Sequence, residues 1–516
     1  MSNHISKILA SYKGDRGYMD LVLALTLYVI PSLVLLGALA FLATRNQTNK
    51  AKLPPSPPRL PIIGNLLELG DKPHKSLAKL AKIYGPLMSL RIGQVTTVVI
   101  SSASLAKEVL QNHDLIFSNR SVPQAANILD HTEFCLGFLP VGPLWRKLRR
   151  ACNSHIFTPR KLDANQELRR KKVQELLAHV QEHCLVGKAV DIGQAAFRTT
   201  FNALSNTIFS VDLIDSSSGT SYRTFIRGVM DELGKPNLSD YFPVLRYFDI
   251  QGLRSRTENH AAKLIGILER IVDERLQSRR MEGYVLKNDM LETLLSLSEE
   301  DSDMMDNNLI KHLLLDLFLA GSDTTTSTIE WAMTELLRNP RILRKAREEL
   351  KQTIGSGNSV QESDIAGLPY LQAIIKETLR LHPPAPFLLP REAREEVELC
   401  GFTIPEGAQV LVNAWAIGRE QSIWDDPDSF VPERFVGSNI DVKGQNFELI
   451  PFGAGRRICP GLPLANRILP LMLGSLLHSF CWKVEDGVIP ENLDMEERFG
   501  FTLEKAQPLR AIPIQP

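Results

Sequence analysis

The chain has 516 residues, 44% hydrophobic and 23% charged, a composition that excludes a disordered or low-complexity protein. Its 59 Lys and Arg balance 59 Asp and Glu, so no net charge draws the whole molecule to nucleic acid. The cysteines (Cys135, Cys152, Cys184, Cys400, Cys459 and Cys481) are scattered, with no Cys-x-x-Cys pair. That spacing supports neither a disulfide framework nor a zinc site, and points to reduced thiols in a cytosolic environment.

Residues 1–20 carry Lys7, Lys13 and Arg16, and residues 21–43 then run without a charged side chain. At about 1.5 Å per residue such a run is long enough to cross a bilayer. Ala38-Leu-Ala40 resembles a cleavage site, but the apolar run outlasts a signal-peptide core and a proline-rich spacer follows at once. The expected organisation is a lumenal segment over 1–20, a signal anchor over 21–43, a hinge over 44–61, and one catalytic body over 62–516. The hinge contains Lys52-Leu-Pro-Pro-Ser-Pro-Pro-Arg-Leu-Pro61, a polyproline-like spacer. No second linker and no internal repeat follow it.

Beyond the hinge, β-rich runs fall at Leu87–Ile92 and Thr96–Ile100, and later at Val397–Ile404 and Gln409–Val412. Apolar spacing of three and four predicts helices over Ala164–His183, Asn259–Arg280, Asn307–Arg338, Arg341–Ile354 and Leu368–Leu381. Asn339-Pro340 stops the third of these. The fold class is therefore mainly α with small β-sheets (α+β).

Several constellations carry chemistry. Trp145-Arg-Lys-Leu-Arg149-Arg150 sets an aromatic and an arginine on one helical face, suited to an acidic group; a solvated basic helix is the plain alternative. Together with Arg169-Arg170-Lys171-Lys172 it also offers a basic docking face. Ala320-Gly321-Ser322-Asp323-Thr324-Thr325 lies mid-helix, where glycine costs about 1 kcal/mol and threonine back-bonding loosens the ladder. Asp323 and Thr324 there place an acid beside an alcohol, a proton relay at a weakened turn; a close helix crossing at Gly321 is the structural alternative. Glu377-x-x-Arg380, in an apolar helix, and Arg434, in Phe430-Val-Pro-Glu-Arg-Phe435, suggest a buried network that locks the fold. Last comes Phe452-Gly-Ala-Gly455-Arg456-Arg457-Ile-Cys459-Pro-Gly461, a lone cysteine among glycines and arginines. Glycines let a backbone approach a flat cofactor and turn its N–H groups toward a sulfur, and arginines hold carboxylates. That is the pattern of a haem-thiolate loop.

With these residues in order, the chain resembles the cytochrome P-450 family of haem-thiolate monooxygenases, in its microsomal plant form. Leu411–Arg419, Phe447–Phe452, Glu330–Arg338 and Met495–Gly500 resemble the geraniol 8-hydroxylase-like, terpenoid-oxidising subfamily. The resemblance implies a P-450 fold behind a transmembrane helix, and haem b with Cys459 as the axial thiolate. Trp145, Arg149, Arg391 and Arg457 would meet the propionates, with Phe452, Gly455 and Gly461 shaping the loop. Asp323 and Thr324 would deliver protons during O2 activation. The pocket would be lined by Leu317, Phe318, Ala320, Phe387, Leu388 and Phe501.

NADPH would supply electrons through a separate cytochrome P-450 reductase docked on the basic face. The catalytic body would lie on the cytosolic side of the endoplasmic reticulum membrane. The implied reaction is hydroxylation of a small apolar plant metabolite, a terpenoid such as a monoterpenol, with further oxidation of the alcohol open. An alkaloid or phenolic substrate is the alternative within the same chemistry. A reductase-independent haem-thiolate isomerase or dehydratase, or a ligand-binding haem protein without turnover, fits the Asp323-Thr324 pair less well.

Overall fold

Prolines set where several helices begin. Pro73, Pro143, Pro340 and Pro369 each stand in the first helical turn, where the absent N–H breaks no bond. The computed structural model describes residues 52–515, apart from 215–218, 301–305, 486 and 488, together with Ser32. The main helices are α1 (Pro73–Tyr84), α2 (Pro143–Ala151), α3 (Gln166–Leu185), α4 (Ile192–Phe209) and α5 (Gly219–Gly234). They continue with α6 (Leu253–Arg279), α7 (Asn307–Arg338), α8 (Pro340–Ile354), α9 (Pro369–Leu381) and α10 (Leu462–Ser479). The expected membrane anchor, 21–43, lies outside the described residues. Among the described residues no helix is long and apolar enough to cross a membrane.

Helix α7 is the spine. Asp306 caps it by accepting from Leu309 N–H, and its side chains are buried on nearly every side, as a helix threading a core requires. Leu309–Leu319 belong to one apolar cluster and Ile329–Leu337 to another, so the helix joins both cores. Where α7 crosses α4, a Cβ on Gly321 would stand 2.9 Å from Leu204 Cδ1. Gly321 therefore serves the crossing. The helix does not weaken at this turn: it stays α-helical throughout. The hydroxyls of Thr324, Thr325, Thr326 and Thr328 each donate to the carbonyl four residues back, sharing the ladder without opening it.

A mixed sheet flanks the helices. Its strands are β1 (Leu87–Ile92), β2 (Val95–Ile100), β3 (Asn119–Arg120), β4 (Arg391–Glu392) and β5 (Gln409–Val412), in the order β1-β2-β5-β4-β3. Only β2 and β5 pair in parallel. The register sets Arg120 directly opposite Arg391. The predicted strand over Val397–Ile404 is a hairpin, Val397–Leu399 and Phe402–Ile404, turning at Cys400 and Gly401, whose φ values are 52° and 76°. The proline-rich run is fastened down. Pro54 and Pro57 are buried, and the Pro54 and Pro55 carbonyls accept from Ser89 Oγ and N, at 2.7 and 2.8 Å.

Beneath α9 sits a charged knot with no exposure to solvent at Glu377 or Arg380. Arg380 Nε and Nη2 donate to Glu377 at 2.7 and 2.8 Å, and Arg434 Nε adds a third bond at 3.0 Å. Arg380 also donates to the carbonyls of Gly418, Pro427 and Ser429, tying α9 to the segment that leads into the Cys459 loop. Removing the one carboxylate would strand two guanidinium groups. Glu377→Ala is therefore expected to destabilise the fold by about 3–5 kcal/mol. A thermal melt that matches wild type would refute the structural role.

Candidate active site

The cysteine loop owes its shape to steric limits. Gly455 has φ +67°, and a Cβ there would stand 2.0 Å from the Leu110 carbonyl oxygen. No other residue fits that turn. Cys459 N–H donates to Phe452 O at 3.0 Å, closing the loop. Burial pushes the Cys459 thiol up, while the N–H groups of Gly461 and Leu462 and the charge of Arg149 pull it back. Those amides belong to the start of α10, and a Cβ on Gly461 would stand in ordinary contact with the sulfur at 3.7 Å. Arg149 Nη1 in turn donates to Ile458 O at 2.5 Å, bracing the loop from α2.

A cavity of about 320 Å³ opens between this loop and α7. It is bounded by Cys459, Phe452, Trp145, Arg149, Arg391 and Arg457 on one side and by Ala320 and Thr324 on the other. Arg391 and Arg457 are buried there and Arg120 is partly buried. Among the described residues none has a carboxylate partner: they donate to the carbonyls of Leu389 (2.6 Å), Phe117 (3.0 Å) and Ser118 (3.0 Å). Burial drives Arg391 and Arg457 down to about 10, and the charge of Arg457 adds to the shift at Arg391. Arg120 falls well below its ordinary value for the same reasons. Trp145 Nε1 and Arg391 Nε are buried with no partner.

Like charges held opposite each other on paired strands, and buried cations without an anion, are both costly. Carboxylates supplied from outside the chain would settle that cost. A flat macrocycle with two propionates and an iron for the thiolate fits this donor set. Arg120 carries no signal in the sequence; only the β3–β4 register brings it to Arg391.

On the opposite wall Leu317, Ala320, Thr324, Leu388 and Phe501 face the cavity, but two expected lining residues do not. Phe318 turns into the core, its ring centroid 5.1 Å from that of Phe201 and 5.6 Å from that of Phe209. Phe387 lines an outer cleft of about 600 Å³, where it meets Phe499 edge-on at 5.9 Å. Asp323 is turned behind the wall, toward Arg223, Arg227 and Glu504. Burial, then the Glu504 charge, pushes its carboxyl up to about 7, and its Oδ2 is unpartnered. Among the described residues one group could converge on a metal ion, His131, Cys135 and Asp316; it belongs to this distal wall and not to the Cys459 loop.

The expected basic face is smaller than the sequence implies. Arg146 and Arg150 are exposed on α2. Arg169 and Lys172, however, are buried on α3, bonded to Glu362 at 2.6 Å and to Asp212 at 2.6 Å. Of that run only Lys171 is fully exposed, and Arg170 pairs with Glu167.

Fold and site together define a haem-thiolate protein. The chain belongs to the cytochrome P450 family, whose model matches residues 54–509. It is a monooxygenase, with O2 and NADPH as the sources of oxygen and electrons. It is 53% identical to geraniol 8-hydroxylase of Catharanthus roseus over 96% of this chain and 98% of that protein. It is 49% identical to drimenol monooxygenase of Persicaria hydropiper, over 96% and 97%. It is 52% identical to 7-ethoxycoumarin O-deethylase of Helianthus tuberosus, over 90% and 94%.

The paired arginines give a direct test. A charge-assisted hydrogen bond contributes about 1.5–3 kcal/mol, so Arg120→Leu is expected to speed haem release about tenfold or more. Release would be followed by transfer to apomyoglobin, and Arg120→Lys should fall between. Unchanged release in both variants would remove Arg120 from the cofactor site.

Proposed function

We propose that this protein hydroxylates a terpenoid alcohol of about monoterpene size, using electrons passed from NADPH by cytochrome P-450 reductase. Residues 21–43 anchor it in the endoplasmic reticulum membrane, with the catalytic body cytosolic. The observation that carries the reading is the apolar cavity enclosed between Cys459 and Thr324, in a chain about half identical to a geraniol 8-hydroxylase and a drimenol monooxygenase.

Cys459 holds the iron, and Arg120, Arg149, Arg391 and Arg457, with Trp145, hold the propionates. When bound, haem supplies the one-electron and O2 chemistry. The chain supplies the rest. Leu317, Ala320, Leu388 and Phe501 bind a hydrocarbon by contact area and keep bulk water out. Such walls sort by shape, one methylene being worth about 1–3 kcal/mol.

Asp323 stores a proton in its buried carboxyl group. Thr324 Oγ1, fixed by donating to Ala320 O at 2.7 Å, offers its lone pairs to a water in the cavity, and rotation of the Asp323 side chain from Arg227 toward that water delivers the proton. The exposed Arg146 and Arg150 of α2, with the exposed Lys171 of α3, form the reductase-facing side.

Geraniol incubated with membranes carrying this chain and a plant reductase is expected to give a hydroxylated product only when NADPH is present. Turnover without NADPH would instead support an isomerase or dehydratase. The proton store has its own signature. The protonated form of Asp323 is the donor, and its carboxyl stands above the ordinary range. Proton-limited turnover should therefore be full below about pH 7 and fall as pH rises through it. Asp323→Asn should lower product formed per NADPH by about 100-fold and flatten this limb. An unchanged pH profile in that variant would exclude Asp323 from the relay.

A further inference from the structure

The distal wall carries one polar cluster that the relay and the apolar walls leave unused. Asp316 Oδ1 accepts from Cys135 Sγ at 2.9 Å and lies 3.1 Å from His131 Nε2, while Oδ2 accepts from Leu136 N–H at 2.7 Å. His131 Nδ1 stands 2.9 Å from His312 Nδ1. Burial, then the charge of His131, lowers the His312 imidazole to about 4, so it is neutral. One hydrogen bond thus joins the two imidazoles, and the far nitrogen of His131, Nε2, faces the Asp316 carboxylate. Phe134 stacks on His312 at 5.1 Å and holds the pair in place. Leu129 and Asp130, just before His131 in the loop, both take left-handed φ (46° and 56°).

Such an arrangement over-determines one carboxylate. A carboxylate offers about four acceptor directions. Three are taken within the chain, by the thiol, the imidazole and the backbone. Asp316 itself lines the cavity, its side chain 16% exposed. A cation at this place would have to break the bonds that already occupy each ligand atom, whereas an O–H donor needs only the direction left open. Along α7, Asp316, Ala320 and Thr324 recur every four residues and form one stripe on the cavity wall. Asp316 therefore stands about 12 Å from Thr324 along the axis, at roughly 1.5 Å per residue.

We propose that Asp316 is the acceptor for the substrate's hydroxyl group, so that the site takes an alcohol at this corner and offers the far end of its carbon chain for oxidation. This rests on the terpenoid-alcohol reading above and deepens it. The carbinol carbon is held two helical turns from Thr324, and only remote carbons reach the reacting centre. An ether or a hydrocarbon of the same shape lacks the donor.

The test compares geraniol with geranyl methyl ether in spectral binding titrations of the full-length holoenzyme. Wild type is expected to bind the alcohol about tenfold or more tightly than the ether. Asp316→Asn keeps an acceptor for Leu136 N–H but removes the charge. It should lose most of that preference, leave ether binding unchanged, and move oxidation toward carbons nearer the hydroxyl. Asp316→Leu should do the same, with its fold checked by the reduced-CO spectrum. Equal loss of both ligands in the variants would make the cluster a loop clamp and overturn the proposal. Hydroxylation of geraniol by a wild type that binds both ligands alike would overturn the anchor and spare the proposed function. If wild type binds neither, both fail.

Discussion

Buried positive charge without an internal counter-charge is the constraint on which this structure turns. Three guanidinium groups, from β3, β4 and the cysteine loop, meet beside one cavity, where they donate to carbonyl oxygens and, among the described residues, to no carboxylate. Carbonyl dipoles lower the cost of such burial but do not cancel it. A dianionic ligand would relieve that cost. Any ligand bound by the native state alone adds its binding free energy to stability. Cofactor retention and fold stability are thus one equilibrium here, and the loop, the small sheet and α2 are coupled through it.

Helix α7 shows how one element meets several demands at once. Its Gly321 side packs on Leu204 of α4, its Ala320 and Thr324 side walls the cavity, and its Asp323 side faces the Arg227–Glu504 pair. Successive residues 100° apart can serve such different neighbours only if the helix stays regular. The back-bonding hydroxyls leave that regularity intact and remove their own donors from the apolar cavity. The relay residues are therefore adjacent in sequence yet on different sides of the helix: the acid is buried with its carboxyl pushed up to about 7, and the alcohol faces the reaction space.

Much of this was legible in the sequence where a signal is local. The span of α7, the proline that ends it, the shape-setting Gly455 and the Glu377–Arg380 spacing all follow from short-range rules. What was not legible depends on register or on which way a side chain turns. Arg120 sits in a two-residue strand with no periodicity, and only pairing with β4 gives it meaning. Phe318 neighbours Leu317 in the chain, but 100° of helix rotation puts it in the core beside Phe201. The basic run at Arg169 reads as a solvated face because composition cannot show that Glu362 and Asp212 arrive from distant segments to pair with it. Asp316 and His131 are likewise far apart in the chain, and their meeting is a product of loop conformation.

Arginine plays two opposite parts in this fold, and the difference lies in where its anion comes from. At the Glu377 knot the chain supplies the carboxylate, three bonds converge on it, and the result is a rigid frame complete without any ligand. At the cavity the chain withholds the carboxylate, and the same side chain becomes a binding group. The two sites are joined through the loop between Phe430 and Cys459, so the matched charges fix the backbone on which the unmatched ones wait. Asp316 extends the logic with the sign reversed. It is an anion supplied with three internal donors and one open direction, which suits it to a neutral hydroxyl and not to a cation. At these three sites the polar groups are thus either bonded within the chain or left with a direction that a ligand would fill.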